Sequence, residues 1–163
     1  MAFETGPACA ADLAGILALM AANQPSRGGR LSANLPPERL LAMLADLPFV
    51  VARREGEIIG FLLTSSLSMN ADVPVIQAML EAYAGDPEAY VYGPICVAEA
   101  DRGQGIAQAM FARLKELLPG REGILFVRQD NPASLKAHAR MGMHEVARFD
   151  FRGMVHTVFA YCG

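Results

Sequence analysis

The stretch VYGPICVAEADRGQGIAQAMF, Val91–Phe111, carries an apolar strand pattern through an acidic bend and two glycines into a helical pattern. Where a strand leads into a helix through glycines, several backbone N–H groups can point at one place, and the helix dipole adds partial positive charge there. Such a place binds anions, and glycine lets a ligand approach the backbone without meeting a Cβ. Arg102 adds a permanent cation whose fork of donors suits phosphate. The stretch therefore predicts a phosphate site.

Three phosphate-binding patterns can be compared with these glycines. A P-loop requires Lys followed by Ser or Thr, and neither pair follows them. A dinucleotide fingerprint that starts at Gly103 requires Gly or Ala where Gln108 stands, so this match fails. The third pattern, R-x-x-G-x-G/A, is satisfied by Arg102, Gly105 and Ala107. The alternative is a plain glycine turn that joins a strand to a helix.

A second segment, NPASLKAHARMGM, has the pattern of a short capped helix. Asn131 suits the N-cap, Pro132 the first helical position and Gly142 the left-handed position after the last turn. Asn131, Ser134 and His138 are spaced by three and then four residues, so they share one face of the helix. A polar stripe on an otherwise apolar short helix requires an explanation.

Together the two motifs resemble those of the GNAT superfamily of N-acyltransferases. The first resembles the acyl-CoA pyrophosphate loop of that family, and the second resembles its N-x-x-[AS]-x-x-x-[YH]-x-K-x-G-F segment, with Met143 in place of Phe. The residues that fit the second pattern are Asn131, Ser134, His138, Arg140 and Gly142. The matched block runs from about Tyr90 to Met143. The resemblance implies one N-acetyltransferase domain over residues 1–163.

The order of elements along the chain is that of an α/β fold. Hydrophobic periodicity and turn residues predict strands at 3–7, 49–52, 58–63, 89–97, 123–128, 144–151 and 154–162, and helices at 9–23, 37–47, 74–85, 104–118 and 132–141. Hairpin turns are expected at Glu55-Gly56 and Arg152-Gly153, and a break or bulge at Gly93-Pro94. With the resemblance, this order predicts a mixed, mostly antiparallel central sheet of about six to seven strands flanked by helices.

The resemblance also implies the cofactor and its contacts. Acetyl-CoA is expected as co-substrate, with its pyrophosphate on the glycine loop and its pantetheine arm along the strand before the loop. Val97 is the expected catalytic residue for the oxyanion, through its backbone N–H. The residues expected to bind the cofactor are Ile95, Cys96, Val97, Arg102, Gly103, Gln104, Gly105, Ile106, Ala107, Asn131, Ser134 and His138.

The proton transfers leave alternatives open. His138 stands where many family members have a Tyr that protonates the leaving thiolate, so it is either the general acid or a residue that packs or binds the cofactor. Glu88 and Tyr92 are the main candidates for the base that takes the amine proton, each with a merely structural alternative. Tyr90, Glu81 and Tyr83 are further candidates. Cys96 lies beside the expected thioester, but with no base partner evident it is expected to be a small hydrophobic residue.

Composition excludes several other classes. The chain has 163 residues, of which 53% are hydrophobic, and a net charge of −3, so it is unlike a basic nucleic-acid binder. No signal peptide or membrane-spanning run is evident, and the three scattered cysteines give neither a disulfide framework nor a metal site. A cytoplasmic protein without a metal ion is therefore expected.

The acceptor is expected to be a small-molecule or peptide amine. The segments 22–40 and 65–90 would form its pocket, and Arg27 and Arg30 either bind an acidic group there or are solvated. Homodimers are common in the family, although no feature of the sequence specifies one. Two other functions are weighed against transfer: a CoA-binding sensor module without turnover, and a dinucleotide-binding oxidoreductase, which Gln108 and the position of the loop disfavour.

Overall fold

A computed structural model describes residues 2–24 and 35–163, and these residues form seven strands and five α-helices. The strands are β1 (Glu4–Pro7), β2 (Val50–Arg54), β3 (Glu57–Ser66), β4 (Tyr90–Val97), β5 (Glu122–Arg128), β6 (His144–Phe151) and β7 (Met154–Cys162). The helices are α1 (Leu13–Ala22), α2 (Pro37–Asp46), α3 (Pro74–Ala82), α4 (Ile106–Leu117) and α5 (Pro132–Arg140). The predicted elements are all present, with changes at their ends.

One sheet contains all seven strands, in the order β1-β2-β3-β4-β5-β7-β6. The β1–β2, β2–β3, β5–β7 and β6–β7 pairs are antiparallel, and β4–β5 is parallel. The prediction of a mixed, mostly antiparallel sheet flanked by helices is therefore confirmed. The chain divides into two compact units, Met1–Thr64 with Gly93–Leu118 and Ser65–Tyr92 with Pro119–Gly163.

Both predicted hairpin turns are present. Glu55 and Gly56 have φ of 52° and 79°, and Arg152 and Gly153 have φ of 51° and 79°. Two consecutive residues with positive φ form the turn whose twist matches that of the flanking strands, and an X-Gly pair suits it. These two turns fix the registers of β2 with β3 and of β6 with β7.

Three predicted helix ends are wrong, and in each case a specific backbone conformation is the reason. The helix expected from residue 104 begins at Ile106, because Gly105 is left-handed and forms the N-cap. The helix expected from residue 9 begins at Leu13, because residues 10–12 form a 3₁₀ turn instead. The helix expected to reach residue 85 ends at Ala82, where the chain turns extended at Tyr83. The Tyr83 hydroxyl donates to Glu122 Oε2 at 2.6 Å, a contact 39 residues away in sequence. A break or bulge was predicted at Gly93-Pro94, but β4 is assigned as one strand through it, and Gly93 has a φ of 111°.

The unit that contains Met1–Thr64 is built around β1, β2, β3 and the end of β4. Helix α4 packs on β1 and β2, and α1 contacts α2. Its core includes Ile16, Leu40, Phe61, Leu62 and Met110, each with 0% exposure. Burial of such side chains contributes about 1.5–3 kcal/mol each to folding.

The other unit has a helix on each face of its strands. On one face, α3 packs through Met79 against Val91, Ile124 and Val158, with partly buried Phe126 and Phe149 alongside. The opposite face carries α5 and a row of tyrosines. Tyr90 on β4 and Tyr161 on β7 both pair in register with Gly123 on β5, so the two tyrosines flank a glycine.

The two tyrosine rings meet above Gly123. Their centroids are 6.3 Å apart in an edge-to-face arrangement, and their hydroxyls are hydrogen-bonded to each other. A Cβ on Gly123 would collide with the Cζ and Oη atoms of Tyr161. The missing side chain of Gly123 is therefore what lets β5 pass beneath the rings.

We predict that Gly123→Ala lowers the free energy of unfolding by about 1–3 kcal/mol, the usual cost of overpacking a filled core. The matched control is Gly6→Ala on β1, where a Cβ would meet no atom closer than Arg53 Nη1 at 3.8 Å. Urea denaturation of both variants measures the difference. Equal losses in the two variants would contradict the packing role of Gly123.

Candidate functional site

The connection from β4 to α4 is a short, ordered loop. The Ala98 N–H donates to the carbonyl oxygen of Ile59 on β3 at 2.8 Å, and a single 3₁₀ turn follows at Glu99–Asp101. Gly103 and Gly105 then have φ of 79° and 80°, values that residues with a side chain rarely adopt. This conformation turns the chain from the strand into the helix within a few residues.

The two glycines leave the start of α4 accessible. A Cβ built on Gly103 or Gly105 would meet no atom within 4 Å, and residues 102–105 are exposed. Gly105 has no side chain to cap the first N–H groups of α4, a helix of 12 residues. Uncapped amides and the positive end of the helix dipole at an open surface suit a diphosphate, so the residues present fit the pyrophosphate of CoA.

Helix α4 starts close to the sheet because Gly60 lies beneath it. A Cβ on Gly60 would lie 3.3 Å from Ile106 Cγ2, 3.2 Å from Met110 Cε and 3.3 Å from the Cys96 carbonyl oxygen. Ile106 and Met110 are buried there. The first turn of α4 is therefore anchored by packing, which holds its free amides in place.

Helix α5 forms as the second motif predicts. Asn131 is the N-cap, and its side-chain oxygen accepts from the Ser134 N–H at 3.3 Å. Pro132 occupies the first turn, and Gly142 is left-handed with a φ of 87°. These caps set the rotation of the helix, which directs His138 into the unit rather than to solvent.

His138 is buried, with 4% exposure, and both of its ring nitrogens have partners. Nδ1 lies 2.8 Å from the carbonyl oxygen of Ser134 and 3.2 Å from the Ser134 hydroxyl. Nε2 lies 3.2 Å from the hydroxyl of Tyr92 on β4. Since a carbonyl oxygen only accepts, Nδ1 must carry the proton, and in the neutral ring Nε2 accepts from Tyr92.

Tyr92 connects His138 to the tyrosine row. It is buried like its neighbours, and its ring makes edge-to-face contacts with His138 at 5.5 Å and Tyr161 at 5.9 Å. Burial raises the pKa of Tyr92, and the nearby Tyr90 raises it further. The Tyr92 hydroxyl is therefore a protonated hydrogen-bond donor at neutral pH.

Comparison with known families identifies the chain. The model of the acetyltransferase (GNAT) family matches residues 17–143. The chain belongs to the GNAT acetyltransferase family. A comparison with curated protein sequences finds no match.

Solved GNAT structures share the fold over nearly the whole chain. Arabidopsis thaliana NAA60 in complex with a bisubstrate analogue has a TM-score of 0.70 at 19% identity, with 99% of this chain and 98% of that one covered. YncA, a putative acetyltransferase from Salmonella typhimurium with its cofactor acetyl-CoA, has 0.69 at 16%, covering 99% and 94%. Ribosomal-protein-alanine N-acetyltransferase from Brucella melitensis has 0.69 at 19%, covering 98% and 99%. At these identities the likeness is one of fold.

In this GNAT domain, Arg102 has contacts that its sequence did not predict. Its Nε donates to the Val97 carbonyl oxygen at 3.2 Å, and its Nη2 donates to Asn23 Oδ1 at 2.7 Å. Asn23, just after α1, donates in turn to the Leu19 carbonyl oxygen at 2.9 Å. Two of the three guanidinium nitrogens therefore tie the loop to β4 and α1, in addition to placing positive charge beside the glycines.

Cys96 has the character expected of a buried residue. Burial raises the pKa of its thiol to about 11, against the opposing effect of Arg102. A thiol with this pKa is almost entirely protonated at neutral pH, so it is a poor nucleophile. Its burial is consistent with the small hydrophobic residue expected from the sequence.

Glu88 lies before β4, in an exposed turn. Its N–H donates to Asp86 Oδ1 at 2.8 Å, and its carbonyl oxygen accepts from Arg121 Nε at 3.0 Å. The candidate residues thus fall into two groups: Ile95–Ala107 in one unit, and Glu88, Tyr92 and the α5 residues in the other. Arg27 and Arg30 lie outside the described residues.

Three residues near these groups carried no sequence signal. Asn23, Arg54 and Tyr161 act through partners 79, 47 and 71 residues away. Within 2–24 and 35–163, no group of three or more His, Cys, Asp or Glu side chains could hold a metal ion. Over the same residues, no helix combines the length and the apolar character that crossing a membrane requires.

The state of His138 gives a prediction for stability against pH. Burial lowers the pKa of His138 below its ordinary value of 6.5, although the hydrogen bond to Ser134 opposes the shift. The unfolded chain therefore takes up the proton first, so the stabilisation is complete above pH 6.5 and is lost as the pH falls towards the folded-state pKa.

We predict that wild-type protein loses stability relative to His138→Gln below pH 6.5, by up to about 1.4 kcal/mol per pH unit. His144 and His156 are present in both proteins, so they cancel in the difference. Urea denaturation from pH 5 to pH 8 measures it. A difference that stays constant over this range would show that His138 has the same pKa in the folded and the unfolded protein, and a wild type that loses relative stability as the pH rises would show a raised pKa.

Proposed function

We propose that the protein transfers an acetyl group from acetyl-CoA to a primary amine. The observation that carries this proposal is the loop Arg102–Ala107, in which two left-handed glycines expose the first amides of α4. When bound, acetyl-CoA supplies an activated acetyl group as a thioester. The fold shared with acetyl-CoA-bound YncA supports the same cofactor.

Within this proposal each part of the loop has a role. The backbone amides of Gly103–Ala107 bind the pyrophosphate, and the positive end of α4 and the Arg102 guanidinium add attraction for its charge. The backbone of Ile95–Val97 pairs with the pantetheine arm. The Val97 N–H donates to the thioester oxygen as negative charge develops on it, which is the largest electrostatic contribution expected of the chain.

The chemical step needs a neutral amine. Its nitrogen attacks the carbonyl carbon, the carbon–sulfur bond breaks, and the amine proton leaves to a base while the thiolate takes up a proton. Thiols have a pKa near ~8.5, so the thiolate is a tolerable leaving group even without an enzymic acid. Of Glu88 and Tyr92, we assign the base to Glu88, because the Tyr92 hydroxyl keeps its proton and donates it to a hydrogen bond with His138.

His138 is assigned a binding and packing role in this scheme. Its single proton in the neutral ring is donated to Ser134, and burial disfavours the imidazolium that would have a second proton to give. The acid role given to the matching family position stays a prediction, to be tested by the rate of His138→Phe.

The proposal also covers the acceptor of the acetyl group, the cellular location of the protein and its oligomeric state. The structures that share the fold include a ribosomal-protein-alanine N-acetyltransferase, so we propose peptide amines as well as small molecules as acceptors to test. The free state of Cys9, Cys96 and Cys162 supports a cytoplasmic location. The homodimer and the single domain over residues 1–163 stay predictions.

The occupied nitrogens of His138 favour a second candidate, a CoA-binding sensor without turnover. The two functions differ in one measurement, thiol release from acetyl-CoA across a panel of small amines and peptides. Release above the uncatalysed rate with any amine supports the transferase. Binding of acetyl-CoA without release across the panel supports the sensor.

We predict that Gly105→Ala raises the Kd for CoA at least about tenfold. A tenfold change corresponds to about 1.4 kcal/mol, roughly the contribution of one hydrogen bond to a charged group. The matched control is Gly120→Ala, which also has a left-handed backbone, with a φ of 73°, and open space at its Cβ. Isothermal titration calorimetry measures both. If the two variants bind CoA equally well, the glycine loop is not the binding site.

A further inference from the structure

Arg54 reaches the glycine loop from the end of β2. Its Nη1 forms an ion pair with the Asp101 carboxylate, and its Nη2 donates to Gln104 Oε1 at 3.1 Å. Asp101 lies just before Arg102 and Gln104 just after Gly103. One guanidinium therefore contacts the loop on both sides of Gly103.

The ion pair with Asp101 is enclosed, whereas the hydrogen bond to Gln104 is exposed. The side chains of Arg54 and Asp101 are 16% and 12% exposed. Exposed ion pairs contribute little to stability, whereas removing one partner of a buried pair leaves an uncompensated charge. Among the described residues, Arg54 Nε is also buried without a hydrogen-bond partner, so the side chain is held there by its two Nη contacts.

The charge of Asp101 makes this contact necessary for an anion site. An unpaired carboxylate next to the loop would repel a pyrophosphate at Gly103 and Gly105. Arg54 neutralises it and leaves the field of the α4 amides uncancelled. The planar fork of arginine can serve a carboxylate and an amide oxygen together, which the single ammonium of lysine does less well.

The contacts of Arg54 with Asp101 and Gln104 also fasten the backbone of the loop. A Cβ on Gly103 or Gly105 would meet no atom within 4 Å, so no neighbour packs against that side of the two glycines. Side-chain hydrogen bonds fasten this part of the loop, from Arg54 on one side and from Arg102, bonded to Val97 and Asn23, on the other.

We propose that Arg54 is a positioning residue for the pyrophosphate loop, acting through Asp101 and Gln104 without touching the cofactor. This inference rests on the proposed function, since it concerns the site assigned to CoA. It extends that site to a strand, β2, on which neither motif lies.

The test compares Arg54→Met with Arg53→Met. Arg53 is the next residue on the same strand and forms an ion pair with Asp12 at 2.5 Å, away from the loop. Each variant therefore loses one partly buried arginine pair. We expect the Kd for CoA, measured by calorimetry, to rise about tenfold in Arg54→Met, or about 1.4 kcal/mol, and to stay at the wild-type value in Arg53→Met.

A second readout separates positioning from general destabilisation. Pantetheine lacks the pyrophosphate, so the ratio of the pantetheine Kd to the CoA Kd reports the contribution of the phosphate loop. This ratio should fall about tenfold in Arg54→Met and not in Arg53→Met. An unchanged ratio in Arg54→Met, or equal falls in both variants, would overturn the inference.

If Arg54→Met does not fold, Arg54→Met/Asp101→Asn removes the unpaired charge and takes its place. We expect this double variant to fold and still to bind CoA weakly, because Gln104 is no longer held. Wild-type affinity in the double variant would overturn the positioning role. If wild-type protein itself binds no CoA, the proposed function fails, which is a separate outcome from wild-type binding that Arg54→Met leaves intact.

Discussion

The left-handed backbone at Gly103 and Gly105 is the constraint on which the loop and the helix after it depend. The chain must leave β4, turn, and enter α4 in a direction that packs Ile106 and Met110 over Gly60. Two residues with φ near 80° accomplish this, and only glycine adopts them at little cost. The same conformation leaves the first amides of the helix uncapped and open. The geometry of the turn and the anion binding that we propose for it therefore have one cause.

The other unit depends on a different glycine. Gly123 leaves room for the rings of Tyr90 and Tyr161. Tyr92 lies two residues after Tyr90 on β4 and continues the row from Tyr161 to His138. The row is buried and hydrogen-bonded, so it fixes the tautomer of His138 and withholds its proton. His138, at a position where the family often has an acid, forms a hydrogen bond between helix α5 and strand β4.

The sequence predicted what is local. The glycine loop, the caps of α5 and both X-Gly hairpin turns depend on residues within a few positions of one another, and all are present in the structure. The family resemblance was correct for the same reason, since its motifs are short and contiguous. The wrong helix ends at residues 104 and 85 were decided by backbone conformations that hydrophobic periodicity does not report.

What the sequence could not predict depends on pairs that only folding brings together. Arg54 meets Asp101, and Arg102 meets Asn23, across 47 and 79 residues. No sequence spacing connects the two members of either pair, and taken singly each side chain is an ordinary charged or polar residue. These contacts fasten a loop whose two glycines are exposed and have no neighbour at their Cβ positions.

The most direct test of the account is a titration of ¹⁵N-labelled protein with CoA, followed by the backbone amide signals. If the loop binds the pyrophosphate through its N–H groups, the signals of Gly103, Gly105 and Ile106 shift strongly and saturably with added CoA. Saturating CoA that leaves these three signals in place, whether or not others move, would contradict the central claim.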